Sequence, residues 1–285
     1  MQHKHFIIMT IIIACFYFPV MIMYLYVGIS LNVRMAAHIL KVFPVFLLII
    51  QTIFYIVTYH RHRYAKFLAF GLLACLTGDF LLELNFIGSV LSQITFLGAV
   101  LSFTVARLYF SFMFLLSPYR RPLEKMQFTR KQKLVFLLGL IPTAAFTIYY
   151  GIELFKNTSL SSAIPMVILL PVYTLVTIIM CICSFFRLST FPWESLLSKI
   201  VSIVGSILFS ISDLLLGFIL FVQRFPGDEL YILSTYWIGV WLLAFSVVRN
   251  WESEAFEKEG VHIEYIDEVG DVEPSEKLIG GEAIN

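Results

Sequence analysis

Four charged side chains fall inside apolar stretches long enough to cross a bilayer: Asp79, Glu83, Arg107 and Asp213. The two aspartates sit in similar frames, Gly78-Asp79-Phe80-Leu81-Leu82 and Ser212-Asp213-Leu214-Leu215-Leu216. An ionisable group at membrane depth costs at least about 2.5–3.5 kcal/mol, so such groups usually carry a function. Arginine does not lose its proton, and it can hold one carboxylate as an ion. A second carboxyl group in the same dry pocket then keeps its proton more readily, through desolvation and like charge. One carboxylic acid beside one carboxylate is the pair that acid-catalysed bond cleavage needs. The same residues could equally form an ion-pair staple between helices, and the pattern alone leaves both readings open. Glu83 follows Asp79 by four residues and shares its helix face. It lies near the outer end of its span, where it would mark the mouth of a cavity, and Lys41 lies near the mouth of the second span.

The elements that position these groups are transmembrane helices. The chain has 285 residues, of which 59% are hydrophobic and 14% charged. Soluble domains carry roughly 45–50% apolar and about 25% charged residues. The apolar excess is arranged in long blocks, and the fold class is an all-α polytopic transmembrane bundle. Eight spans are predicted, at 6–27, 39–58, 66–84, 90–116, 134–151, 164–186, 197–221 and 230–248. The first block, Phe6 to Val27, is read as a span, because it is too long for a signal-peptide core. At about 1.5 Å rise per residue, Asp79 lies roughly 20 Å, Asp213 roughly 24 Å and Arg107 roughly 14 Å from the cytosolic face. All three meet in one cavity if the third, fourth and seventh spans are neighbours.

Basic residues follow the second span (Arg61, Arg63, Lys66), the fourth (Arg120, Arg121, Lys125, Arg130, Lys131, Lys133) and the sixth (Arg187, Lys199). Alternate loops hold only Arg34, Lys156 and Arg224. Positive loops stay cytosolic, so both termini are expected there. Residues 1–249 are read as the membrane domain and 250–285 as an acidic, disordered cytosolic tail, since eleven of the nineteen acidic residues fall between Glu252 and Glu282. Short words recur in the same order in both halves. Phe43-Pro44-Val45-Phe46 answers to Leu170-Pro171-Val172-Tyr173, the two aspartate frames answer to each other, and Leu108-Tyr109-Phe110-Ser111-Phe112 has a counterpart at Leu242-Leu243-Ala244-Phe245-Ser246. A 4+4 parallel internal repeat would explain this, as would chance matching of short apolar words.

Other chemistries lack their residues. The six histidines fall in predicted loops or termini, which argues against a zinc site in the membrane. There is no Gly-x-Ser-x-Gly elbow and no phosphate-binding loop. The four cysteines lie in apolar spans and read as small buried hydrophobes. A net charge near zero gives no reason to expect nucleic acid as a partner. No cofactor is expected.

The chain resembles the YhhN-like lysoplasmalogenase family of eight-span membrane proteins, over roughly residues 38 to 248. The resemblance rests on Lys41-x-x-Pro44, Gly78-Asp79, Phe96-Leu97-Gly98 leading to Ala106-x-x-Tyr109, Pro171-Val172-Tyr173, Ser212-Asp213 and Thr235-Tyr236, in that order. It implies hydrolysis of the vinyl ether bond of lysoplasmalogens, giving a fatty aldehyde and glycerophosphocholine or glycerophosphoethanolamine. It also implies residence in the endoplasmic reticulum. The expected partners are a lysophospholipid substrate and membrane lipid, with a homodimer as the one protein assembly in view. A vinyl ether is cleaved by protonating its β-carbon and adding water to the oxocarbenium ion, which needs a general acid and a nearby anion. Asp79 and Asp213 are the residues expected in these roles. Tyr109, Tyr173 and Tyr236 could orient water or head group, and Lys41 or Arg107 could hold the phosphate. Many family members carry a histidine after the small residue that Ala106 matches; this chain has Arg107. The alternative is therefore a non-catalytic lipid-binding relative with a structural Asp213–Arg107 pair, and a transporter ranks third.

Overall fold

The computed structural model describes residues 2–24, 26, 34–59, 63–84, 89–115, 160–190 and 196–248, with a few single positions between 141 and 156. Among the described residues there are seven helices and no strand. They are α1 (Gln2–Tyr24), α2 (Arg34–Tyr59), α3 (Arg63–Leu84), α4 (Ser89–Leu115), α5 (Leu160–Thr190), α6 (Leu196–Phe221) and α7 (Asp228–Val248). Six of them, α2 to α7, are long and apolar enough to cross a membrane, and α1 contributes a shorter apolar stretch, Met9–Tyr24. These are the helices of a multi-pass integral membrane protein. Seven of the eight predicted spans fall on them. The fifth, 134–151, lies almost wholly outside the described residues, as do the tail 250–285 and the basic segment Arg120 to Lys133.

Successive helices pack side by side, with α3 against α4 and α6 against α7 as the closest pairs, and α7 also meets α2 and α3. Residues pointing outward are large and apolar, as with Phe16, Phe80, Phe112 and Ile168. This is the pattern of a bundle whose solvent is lipid, where packing and hydrogen bonds rather than the hydrophobic effect hold helices together. Small residues bring the backbones close. A β-carbon at Gly239 would lie 2.8 Å from the Phe209 nitrogen and 3.0 Å from the Gly205 carbonyl oxygen. At Gly71 on α3 the space a side chain would need is taken by the Phe110 ring of α4. Gly239→Val therefore cannot fit without separating α6 from α7. The expected loss is about 1–3 kcal/mol, read as a fall in the melting temperature in detergent; an unchanged melting temperature would contradict this packing.

Hydroxyls inside the bundle are satisfied locally. Thr52, Thr104, Ser111 and Thr177 each donate to the carbonyl four residues earlier, and Ser206 and Ser210 do the same along α6. Such back-bonding lets polar side chains sit at membrane depth without an open donor. Between helices, the Tyr17 hydroxyl donates to the Trp237 carbonyl at 2.7 Å and fixes α1 to α7.

Candidate active site

Asp79 lies on the buried face of α3, in register with Leu68, Leu72 and Cys75, all three of which are buried. It is 3% exposed. The Tyr236 hydroxyl on α7 donates to its Oδ2 at 2.7 Å. Tyr236 is itself held by rings on two sides, edge-on to Phe103 and tilted against Phe209, with centroids 6.2 and 5.6 Å away. The hydrogen bond thus has a rigid donor, and its acceptor sits on a helix locked by packing.

Asp213 on α6 pairs with Arg107 on α4 through Nη2. Arg107 is fully buried. Its Nη1 donates to the Phe103 carbonyl of its own helix at 2.9 Å. The guanidinium lies over two aromatic faces, Tyr173 from α5 at 4.3 Å and Phe209 from α6 at 4.6 Å. Ring faces are the negative side of an aromatic quadrupole, so this cage stabilises the cation where water cannot. The Nε is buried and meets no hydrogen-bond acceptor. Ser212, beside Asp213, donates to the Ile232 carbonyl of α7 and pins this stretch of α6.

Phe209 lies between the two couples, against the Tyr236 ring and under the Arg107 guanidinium. Cys75 is buried one turn before Asp79 on the same face of α3. Nearer the helix ends, Lys41 on α2 donates to Glu83 on α3 at 2.5 Å, with side chains 18% and 12% exposed. Both carboxylate couples cross the chain in the same way. Asp79 of α3 finds its partner on α7, and Asp213 of α6 finds its partner on α4. Gly71 and Gly205, each eight residues before its aspartate, are both close-packing positions against the next helix.

Of the residues singled out in the sequence, the structure gathers Asp79, Tyr236, Arg107, Asp213 and Tyr173, with Lys41 and Glu83 at one end. Tyr109 is not brought there. Its ring stacks on Phe70, centroids 5.5 Å apart, and packs near Phe67; Phe70 is half exposed. Two residues after Arg107 on a helix, Tyr109 points well away from it. The charge count also changes. Sequence reading sets three interior acids against one cation, yet Lys41 pairs with Glu83. Arg187, placed by sequence in a loop, is in the last turn of α5 and 1% exposed. Arg187 bonds the Tyr64 hydroxyl and lies 4.5 Å over that ring, and its Nη2 donates to Ser198 at 3.2 Å. Ser198 in turn donates to the Ser246 carbonyl at 2.6 Å. Four helices, α3, α5, α6 and α7, meet at this guanidinium. Phe209 and Cys75, which complete the site, carry no charge to flag them; Cys75 could have been found from its four-residue spacing to Asp79.

A helical membrane bundle with two interior carboxylates, one buried on a phenol and one partly buried on a caged guanidinium, defines a class of integral membrane protein that holds ionisable groups within its helices. The chain belongs to the YhhN family, whose family model matches residues 36–247. Searches of curated proteins and of solved structures gave no match.

Proposed function

We propose that this protein is a membrane hydrolase of the lysoplasmalogenase type, cleaving the vinyl ether of an alkenyl-glycerophospholipid. The observation that carries the reading is the unequal pairing of the two interior aspartates, Asp79 buried on a phenol and Asp213, its side chain 12% exposed, on a guanidinium. Asp213 faces a guanidinium that keeps its charge, so it serves as the fixed anion. Asp79 faces a neutral phenol at 2.7 Å and is the group able to hold and deliver a proton. In this scheme Asp79 protonates the β-carbon of the vinyl ether, and the double bond becomes a C–H bond and an oxocarbenium ion. The Asp213 carboxylate stabilises that cation and accepts a proton from water as its oxygen bonds to the α-carbon. As the hemiacetal breaks its C–O bond to the glycerol, Asp213 gives its proton to the departing oxygen, the hemiacetal O–H becomes the aldehyde carbonyl, and the proton it loses restores Asp79 to the acid. Acid and base act together as in glycoside hydrolysis. The open Nε of Arg107 is a donor that a substrate oxygen would satisfy. The same reading takes the two aspartates as matching positions of a duplicated four-span unit, with both termini cytosolic and the endoplasmic reticulum as the host membrane.

The Arg107–Asp213 contact also favours a second reading, a lipid-binding relative in which that pair only joins α4 to α6. Purified protein in neutral detergent, given alkenyl-lysophosphatidylethanolamine and the choline analogue, decides between them. The expected result is stoichiometric release of fatty aldehyde from the alkenyl lipids and none from the saturated alkyl ether. Well-folded protein that releases no aldehyde from either head group would establish the second reading.

A further inference from the structure

We propose that the Lys41–Glu83 ion pair is the receptor for a zwitterionic phospholipid head group, with Lys41 taking the phosphate and Glu83 the ammonium. The inference rests on the vinyl-ether reading above and extends it to the head group.

Position is the first argument. Lys41 lies at the edge of the apolar stretch Leu40–Val57, and Glu83 at the end of the stretch Tyr64–Leu84. That is the level of a bilayer at which head groups sit, while Asp79 is further in and almost wholly buried. Unlike the Arg107 couple, this pair keeps some exposure on both partners, so a head group can reach it.

Length is the second. Glu83 is four residues beyond Asp79, a rise of about 6 Å along α3. In an alkenyl-glycerophospholipid, five bonds separate the vinyl ether oxygen from phosphorus, about 6 Å when extended. A substrate whose vinyl ether lies at Asp79 therefore places its phosphate at the level of the ion pair.

Charge is the third. A lone phosphate would meet Glu83 as a like charge. A head group bearing both signs exchanges with the pair, Lys41 to phosphate and Glu83 to ammonium, and buries no net charge.

Binding can be tested without the reaction, using acyl lysolipids that have no vinyl ether. In maltoside detergent, wild-type protein is titrated with lysophosphatidylethanolamine, lysophosphatidic acid, monoacylglycerol and inorganic phosphate, and affinities are read from calorimetry. The expected order puts the zwitterionic lipid about 10- to 100-fold tighter than lysophosphatidic acid or monoacylglycerol, the range for a charge-assisted contact. Lys41→Met should reduce the zwitterion to the monoacylglycerol level, and Glu83→Gln should erase its advantage over lysophosphatidic acid. Equal binding of lysophosphatidylethanolamine and monoacylglycerol by the wild type overturns the proposal with no variant needed. So does inorganic phosphate that binds the wild type but not Lys41→Met and leaves lysolipid affinity unchanged, because the pair would then hold a free anion and not the lipid. A zwitterion preference in protein that releases no aldehyde sustains the receptor and removes only the hydrolase. Aldehyde release at equal rates from alkenyl lipids with and without a head group does the reverse.

Discussion

Asp79→Asn should lower aldehyde release by about 10²- to 10⁴-fold, the usual worth of a general acid. The substitution is close to isosteric, and an amide oxygen can still accept from Tyr236 at the observed position. The α3–α7 contact is thus kept while the transferable proton is lost. The melting temperature in detergent should stay near that of the wild type, and the loss should fall on kcat rather than KM, because the group acts on the reacting carbon. The measurement is single-substrate kinetics with aldehyde trapped as it forms. Asp79→Asn within threefold of wild-type kcat would remove Asp79 from the role of acid and leave it as a hydrogen-bonded anchor.

Arg107→Met carries the largest expected cost to stability. It leaves Asp213, whose side chain is 12% exposed, with no cation beside it, and breaking a buried pair on one side costs about 3–5 kcal/mol. Asp213→Leu in addition removes the stranded charge and should recover most of that loss, since a hydrophobic replacement of a whole buried pair is often neutral. Unfolding in mixed micelles across the four-protein cycle measures the coupling. The doubly substituted protein also separates the two readings of the pair. If it folds and binds acyl lysolipid yet releases no aldehyde, the carboxylate is chemical as well as structural. Should Arg107→Met cost under 1 kcal/mol, water reaches the pair and the dry anion required for the mechanism is absent.

Much of this was legible in the sequence because the bilayer imposes a simple code. Apolar length marks a span, and a charge within a span is conspicuous. The code therefore exposes Asp79, Arg107 and Asp213, and the ordered short motifs lead to the family. It fails where neighbours across the bundle decide. Nothing in the order of residues says that Tyr236 rather than Arg107 would meet Asp79, because that depends on α7 packing against α3. Tyr109 belongs to the motif set, yet two residues of helix turn it from the Arg107 face toward Phe70. Arg187 reads as a loop charge because it closes an apolar run; only its burial against Tyr64 and Ser198 shows that α5 carries it inward. Hydropathy sees each helix singly, whereas a site is made of helices in pairs.

The crossed pairing also bears on how the chain is made. Asp79 precedes Tyr236 by 157 residues, and Arg107 precedes Asp213 by 106. At about 5–20 residues per second, Asp79 leaves the ribosome roughly 8–30 s before its phenol exists. Until α6 is made, the nascent protein carries an acid and a guanidinium that no later helix has yet answered. They must wait in the insertion machinery, beside lipid head groups, or against one another. A ribosome that stops before α7 leaves Asp79 without the phenol that answers it, a defect in kind that a shortened run of leucines would not create.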